Sequence, residues 1–192
     1  MVWDNYSSGK PRTIYYFDNK DDLDQFPTLY ITAGSSVARK PIPNTIEKYY
    51  ENGILQSRGQ NIGDIKCGRW EYFYENGIPQ ARCYYRKGIS KDTVYGWYPS
   101  GKLKRLLVEV DTIQHYWHGL DYLEDGSKIV ECNLTKDSGN NWLFNGDWKS
   151  WYHNGKQSFQ ATMKDNWTAG KWQEWDSAGN KHEGQKPINI TL

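Results

Sequence analysis

In the stretch Trp70-Glu71-Tyr72-Phe73-Tyr74, strand alternation sends Trp70, Tyr72 and Tyr74 to one face and Glu71, with Glu75, to the other. The same phase returns at Trp148, Ser150 and Tyr152. Each run stops at a turn signal, YENG or YHNG, and an Asn-Gly pair between such runs suits a type I′ turn, whose two central residues need positive φ. A return strand follows each turn: ILQSR, IPQARCYY, KLKRLLVEV, SKIVECNL and KQSFQATM. A second glycine, at Gly68, Gly146 and Gly170, opens the next forward strand. No segment holds a 3.6-residue period and glycine interrupts every candidate, so the pattern predicts hairpins and no helix beyond a turn or two.

The phrase recurs on a fixed spacing. Its closing glycines are Gly9, Gly53, Gly77, Gly101, Gly126, Gly155 and Gly179, at steps of 44, 24, 24, 25, 29 and 24 residues. The first step spans two units, with a worn copy ending at Gly34. The 29-residue step carries TKDSGNNWLFNG, an insertion expected to protrude as a loop. The unit from Gly119 to Gly126 is two residues shorter and lacks the Trp. The predicted fold is therefore all-β: an elongated single array of stacked antiparallel β-hairpins with a period of about 24. Residues 1–45 hold degenerate repeats with an acidic loop, 46–184 the hairpin array and 185–192 a tail. One hairpin is marginal in water, so Trp70, Trp148 and Trp172, which share one place in the repeat, should be buried rungs of a common ladder.

The motif G-x-W-x-x-[YFW]-[YFW]-x-[ND]-G followed by a strand resembles MORN-type repeats, in particular the variant of bacterial YwqK-like proteins. The resemblance covers residues 46–180 well and 1–20 partially; the best copies are Gly68–Gly77, Gly146–Gly155 and Gly170–Gly179. It implies a repeat module, and the YwqK-like branch implies an antitoxin or immunity protein of a bacterial toxin system.

Composition narrows the chemistry. Of 192 residues, 16% are aromatic while only 37% are hydrophobic in total, so the apolar material is concentrated in rings that bury large areas each. A net charge of +1 lacks the basic excess of a nucleic-acid binder. The N-terminal residues show no apolar signal region and no run approaches a membrane span; three widely spaced cysteines make no disulfide framework. A cytoplasmic protein is expected. Cys83 and Cys132 fall at the sixth place after the turn glycine, where other copies carry Gly59, Leu107 and Ala161, which reads as a core slot of limited volume. His115 and His118 point to opposite faces of a strand, His153 lies in a turn and His182 in the tail, and no metal, nucleophile or cofactor motif is present. No enzyme, metal or cofactor is expected. Asp18, Asp21, Asp22 and Asp24 form an acidic cluster without the glycine and glutamate of an EF-hand loop. The stretch Arg82 to Arg105 is basic and reads as a solvated sheet face.

These features point to a non-enzymatic protein-binding module, an immunity protein that occludes the active site of a cognate toxin. The alternatives are an aromatic reader of glycans or choline and a membrane-surface scaffold; neither nucleic-acid binding nor membrane insertion is expected. Three places break the repeat, and there large rings and acidic groups can anchor an interface. Asp21, Asp22, Asp24, Trp117 and Trp142 are the expected toxin contacts.

Overall fold

The computed structural model describes residues 2–16 and 45–190. They form an all-β meander of fourteen strands, each antiparallel to the next in chain order. Among the described residues there is no α-helix. Two compact units divide the chain, Met1–Lys91 and Asp92–Leu192. The first contains β1 (Val2–Asn5), β2 (Pro11–Tyr16), β3 (Thr45–Tyr49), β4 (Leu55–Ile62), β5 (Ile65–Phe73) and β6 (Pro79–Arg86). The boundary falls in β7 (Ile89–Trp97). The second unit continues with β8 (Leu103–Asp111), β9 (Tyr116–Tyr122), β10 (Lys128–Lys136), β11 (Trp142–Trp151), β12 (Gln157–Lys164), β13 (Trp167–Trp175) and β14 (Lys181–Gly184). The worn copy ending at Gly34 and the acidic cluster lie outside the described residues.

The turns at Gly53, Gly77, Gly101, Gly126 and Gly155 are where the pattern puts them, but not in the expected geometry. Gly53 has φ 87° while Asn52 keeps negative φ. The Gly53 N–H donates to the Tyr50 carbonyl, and Tyr50 N–H to the carbonyl of Ile54. This is a three-residue loop with glycine in the left-handed region, beside a register shift at Tyr49, not a two-residue type I′ turn. Asn52 is needed for its side chain: Oδ1 accepts from the Ile54 N–H at 2.9 Å. Asn76, Asp125 and Asn154 repeat that bond. Consecutive residues of positive φ, as type I′ requires, occur instead at the other end of the hairpins, at Lys87-Gly88 and Asp165-Asn166.

Gly68, Gly146 and Gly170 do not open strands; they lie inside β5, β11 and β13. Each belongs to a bulge in which three residues face one. Between the pairs Arg58↔Glu71 and Gln60↔Cys67 only Gly59 faces Gly68, Arg69 and Trp70, and β10–β11 and β12–β13 repeat the arrangement. The positive φ of these glycines, 65°, 100° and 87°, accommodates the bulge.

The bulge delivers the tryptophan onto the core face, where it packs against small residues on neighbouring strands. In the first unit Trp70 lies between Gly59 and Cys83, its cross-strand partner. A Cβ on Gly59 would fall 2.2 Å from the Trp70 ring, so only glycine fits. Trp70 is 3% exposed and its Nε1–H donates to the Gln60 carbonyl at 2.9 Å. In the second unit Trp148 lies between Cys132 and Ala161, and Trp172 between Ala161 and Gly184. The sixth place after the turn glycine is thus the limited core slot read from the sequence. Cys83, Leu107, Cys132 and Ala161 are all buried there.

A second repeated tie runs between successive hairpins. Tyrosines that open four of the turns donate their hydroxyl to a backbone carbonyl of the next hairpin: Tyr6 to Tyr49 and Tyr50 to Phe73 in the first unit, Tyr98 to Tyr122 and Tyr152 to Trp175 in the second. Each acceptor directly precedes the equivalent position of the next repeat. The tyrosine of YxxG is therefore a hydrogen-bonding rung as well as an apolar one.

The opposite face of the first unit carries charge. Glu71 stands across from Arg58 on β4 and Arg82 on β6 and pairs with both, and with Arg69 on its own strand. Burial alone would raise its carboxyl, but hydrogen bonds and charge from Arg58 and Arg69 outweigh that and hold it below its ordinary value. A carboxylate depressed in the folded state stabilises the fold above its unfolded pKa, and that stability is lost as pH falls through the folded value.

Two measurements check these assignments. Gly59→Ala should lower the urea midpoint more than Tyr50→Phe, which removes one hydrogen bond worth roughly 1 kcal/mol; equal effects would remove the Trp70 packing argument. Unfolding stability of the wild type should decline below about pH 4, near the usual glutamate value. Glu71→Gln should make that decline shallower.

Candidate functional site

In the second unit the order of large and small core residues fails at one place. The cross-strand row on the core face runs Val94, Leu107, Gly119, Cys132, Trp148, Ala161, Trp172 and Gly184. Counted back from the turn glycine, Gly119 holds the place that Trp70, Trp148 and Trp172 hold in their own hairpins. Gly119 is therefore not the opening glycine of a shortened unit, as the sequence pattern suggests. β9 lacks the three-against-one bulge; the one unmatched residue of the pairing is Val110 on β8, and the spacing from Gly119 to its turn glycine equals that from Trp70 to Gly77. No ring stands between Leu107 and Cys132.

An open cavity of about 190 Å³ lies at this place. Leu107, Gly119 and Cys132 belong to its lining, with Leu134, Phe144, Trp142 and Trp148 along one side and Ile190 contributing from the C-terminal segment. Arg105 and Asp121 line the other side. They face each other across β8 and β9 and form a two-pronged ion pair, with Nε and Nη2 of Arg105 each 2.6 Å from a carboxylate oxygen. The hydrogen bonds that Arg105 donates to Asp121 raise the already high pKa of the guanidinium, against its burial. Arg105 is 42% exposed and Asp121 24%. Burial pushes the Cys132 thiol up to about 12, so it lines the cavity as a neutral, unreactive group.

The expected contact residues divide. Asp21, Asp22 and Asp24 lie outside the described residues. Trp117 is 1% exposed and is a core residue. Trp142 is half-buried and lines the cavity. Its ring meets Trp117 edge to face with centroids 5.1 Å apart, and the Lys136 ammonium lies 4.2 Å from the Trp142 centroid. The insertion that holds Trp142 does not protrude as a long loop. Most of it extends β10 and β11, which pair as far as Lys136↔Trp142. The remaining turn is capped by Asp137, whose Oδ1 accepts from the N–H groups of Gly139 and Asn141. Trp148, expected to be buried, is half-buried beside the cavity, held by edge contacts with Phe144 and Phe159.

Arg105, Asp121 and Trp148 are not among the expected contact residues. A signal existed for the first. The fourth place after the turn glycine holds Ser57, Ala81, Val130 and Phe159 in the other interior copies, and a charge only here and at Glu183 in the last copy. The basic stretch beginning at Arg82 is partly neutralised within each unit, by Glu71 in the first and Asp121 in the second. Lys104 lies over the Tyr98 ring. Among the described residues no cluster of three or more histidine, cysteine or acidic side chains could hold a metal ion.

Comparison with known families matches the MORN repeat variant to residues 66–87 and 144–165. The first match runs along the β5–β6 hairpin and the second along β11–β12, one in each unit, so these two segments are similar to a repeat of binding modules. No curated protein matches the chain.

Because the ion pair stands on a face built for apolar contacts, removing one partner strands the other beside the cavity. Asp121→Ala should cost about 1–2 kcal/mol in urea denaturation after allowance for its partial exposure. The double variant Arg105→Met/Asp121→Leu should recover most of that loss. A double variant less stable than Asp121→Ala would show that the pair itself holds the unit together.

Proposed function

We propose that this chain is a non-enzymatic protein-binding module, an immunity protein that neutralises a cognate bacterial toxin by covering its active site in the cytoplasm. The observation that carries the reading is the cavity at the interrupted row. A half-buried tryptophan, an ion pair and an opening into apolar core coincide where internal repetition requires none of them. Such a combination supplies an apolar anchor point with polar groups at its border, the usual anatomy of a hot spot. Inhibition by cover asks for no chemistry from the protein, only area and complementary charge. The resemblance to YwqK-like repeats supports the same reading. In this reading Trp142 contacts the toxin directly, and Asp21, Asp22 and Asp24 meet a basic surface on it.

Titration against a toxin domain encoded beside this protein tests the proposal. Trp142→Ala should raise the dissociation rate, while Asp21→Lys, Asp22→Lys and Asp24→Lys together should slow association, most at low salt. If wild type and all variants bind with the same rates, this surface is not the interface. If the wild type neither binds nor inhibits the toxin, the immunity reading fails.

A further inference from the structure

The row of core residues shows by its own regularity what the cavity takes. Wherever two small residues face each other across a forward strand of this row, an indole stands between them: Trp70 over Gly59 and Cys83, Trp148 over Cys132 and Ala161, Trp172 over Ala161 and Gly184. Among the described copies the equivalent place holds Val94 and Ile46 in two other hairpins, and only at Gly119 does it carry no side chain at all. Leu107 and Leu134 lean into part of the space, since a Cβ at Gly119 would meet each of their methyl groups at 2.9 Å. They leave about 190 Å³ unfilled. That is room for one large side chain and too little for a folded element.

We infer that the cavity is a receptor for a single aromatic side chain presented by the protein partner, which completes the interrupted row; this rests on the protein-binding reading above. Three rings, Trp142, Phe144 and Trp148, border the space. Phe144 and Trp148 already meet edge to face, at 80°, and Trp142 meets Trp117 in the same manner, at 89°. A fourth ring gains such contacts in addition to the burial of its area, and an aliphatic side chain of equal size gains the burial alone. The Trp148 Nε1–H strengthens the assignment. Its equivalents on Trp70 and Trp172 donate to the carbonyls of Gln60 and Lys186, whereas on Trp148 this buried group has no acceptor among the described residues. The π-face of a ring, or the carbonyl of the residue bearing it, would supply one. The Arg105–Asp121 pair at the border satisfies main-chain polar groups that flank an inserted side chain.

Toluene and methylcyclohexane, matched in shape and differing in the ring, serve as probes of the isolated protein. They are followed through the methyl NMR signals of Leu107, Val130, Leu134 and Ile190. Toluene should shift these signals saturably and bind roughly 2–10-fold more tightly than methylcyclohexane, the factor that ring–ring contact provides. The variant Leu107→Ala/Gly119→Trp rebuilds the small–Trp–small order within the chain. It should abolish toluene binding and weaken toxin binding at least tenfold, while Val130→Phe, which narrows the cavity from one side, gives the same result should the first variant fail to fold. Absence of saturable toluene shifts at these methyls, or equal binding of the two probes, overturns the inference. So does full toxin affinity in a folded, filled variant. If the wild type binds no toxin at all, the immunity reading fails while the toluene result decides the aromatic site by itself.

Discussion

The packing of a tryptophan ring flat against a glycine, alanine or cysteine on the neighbouring strand is the contact on which the rest of the structure depends. A hairpin of this length has too little apolar area to persist alone, and its core here is one side chain deep. The ring spans two neighbours at once, so each hairpin is stable only as part of the row. The three-against-one bulge serves that contact by bringing the tryptophan onto the core face over a residue with little or no side chain. The glycines at Gly68, Gly146 and Gly170 accept the positive φ the bulge imposes, and Gly59 accepts the ring itself.

A fold held by one repeated contact has a predictable weak point wherever a copy of the contact is missing. In the second unit that place is Gly119, where β9 has neither the bulge nor the ring. The consequences spread to neighbouring strands. Trp117 turns inward, Leu107 takes a slot otherwise held by smaller residues, and Trp148 stays half-exposed. An ion pair, Arg105 with Asp121, stands beside the opening. What recurs holds the hairpins together, and several departures from it meet around one cavity.

The tyrosine hydroxyls act between hairpins in a different way. Tyr50 and its equivalents donate to backbone carbonyls at the turn end of the hairpins, away from the tryptophan row. In the copy with Leu123 in this place the turn keeps its backbone bonds, Leu123 N–H to Ser127 and Gly126 N–H to Leu123. The turn therefore forms without the hydroxyl, whose contribution is to neighbour contact.

The period, the strand alternation, the turn positions, the absence of helix and the small core slot at Cys83 and Cys132 are all legible in the sequence. They depend on local rules, two-residue alternation and glycine's conformational range, that act within a few residues. The turn type was misread because Asn-Gly suits two geometries, and only cross-strand register separates them. The insertion near Trp142 looks like a loop in the linear order, but becomes strand once β10 and β11 find each other. The expected contacts at Trp117 and Trp142 carry the same large side chain in the same irregular region, yet one is buried and the other lines an opening. The cavity, and the meeting of Arg105 with Asp121 beside it, exist only after three strands have aligned. A missing side chain leaves a space only when the neighbours on both sides are in place, and that is a property of the tertiary structure.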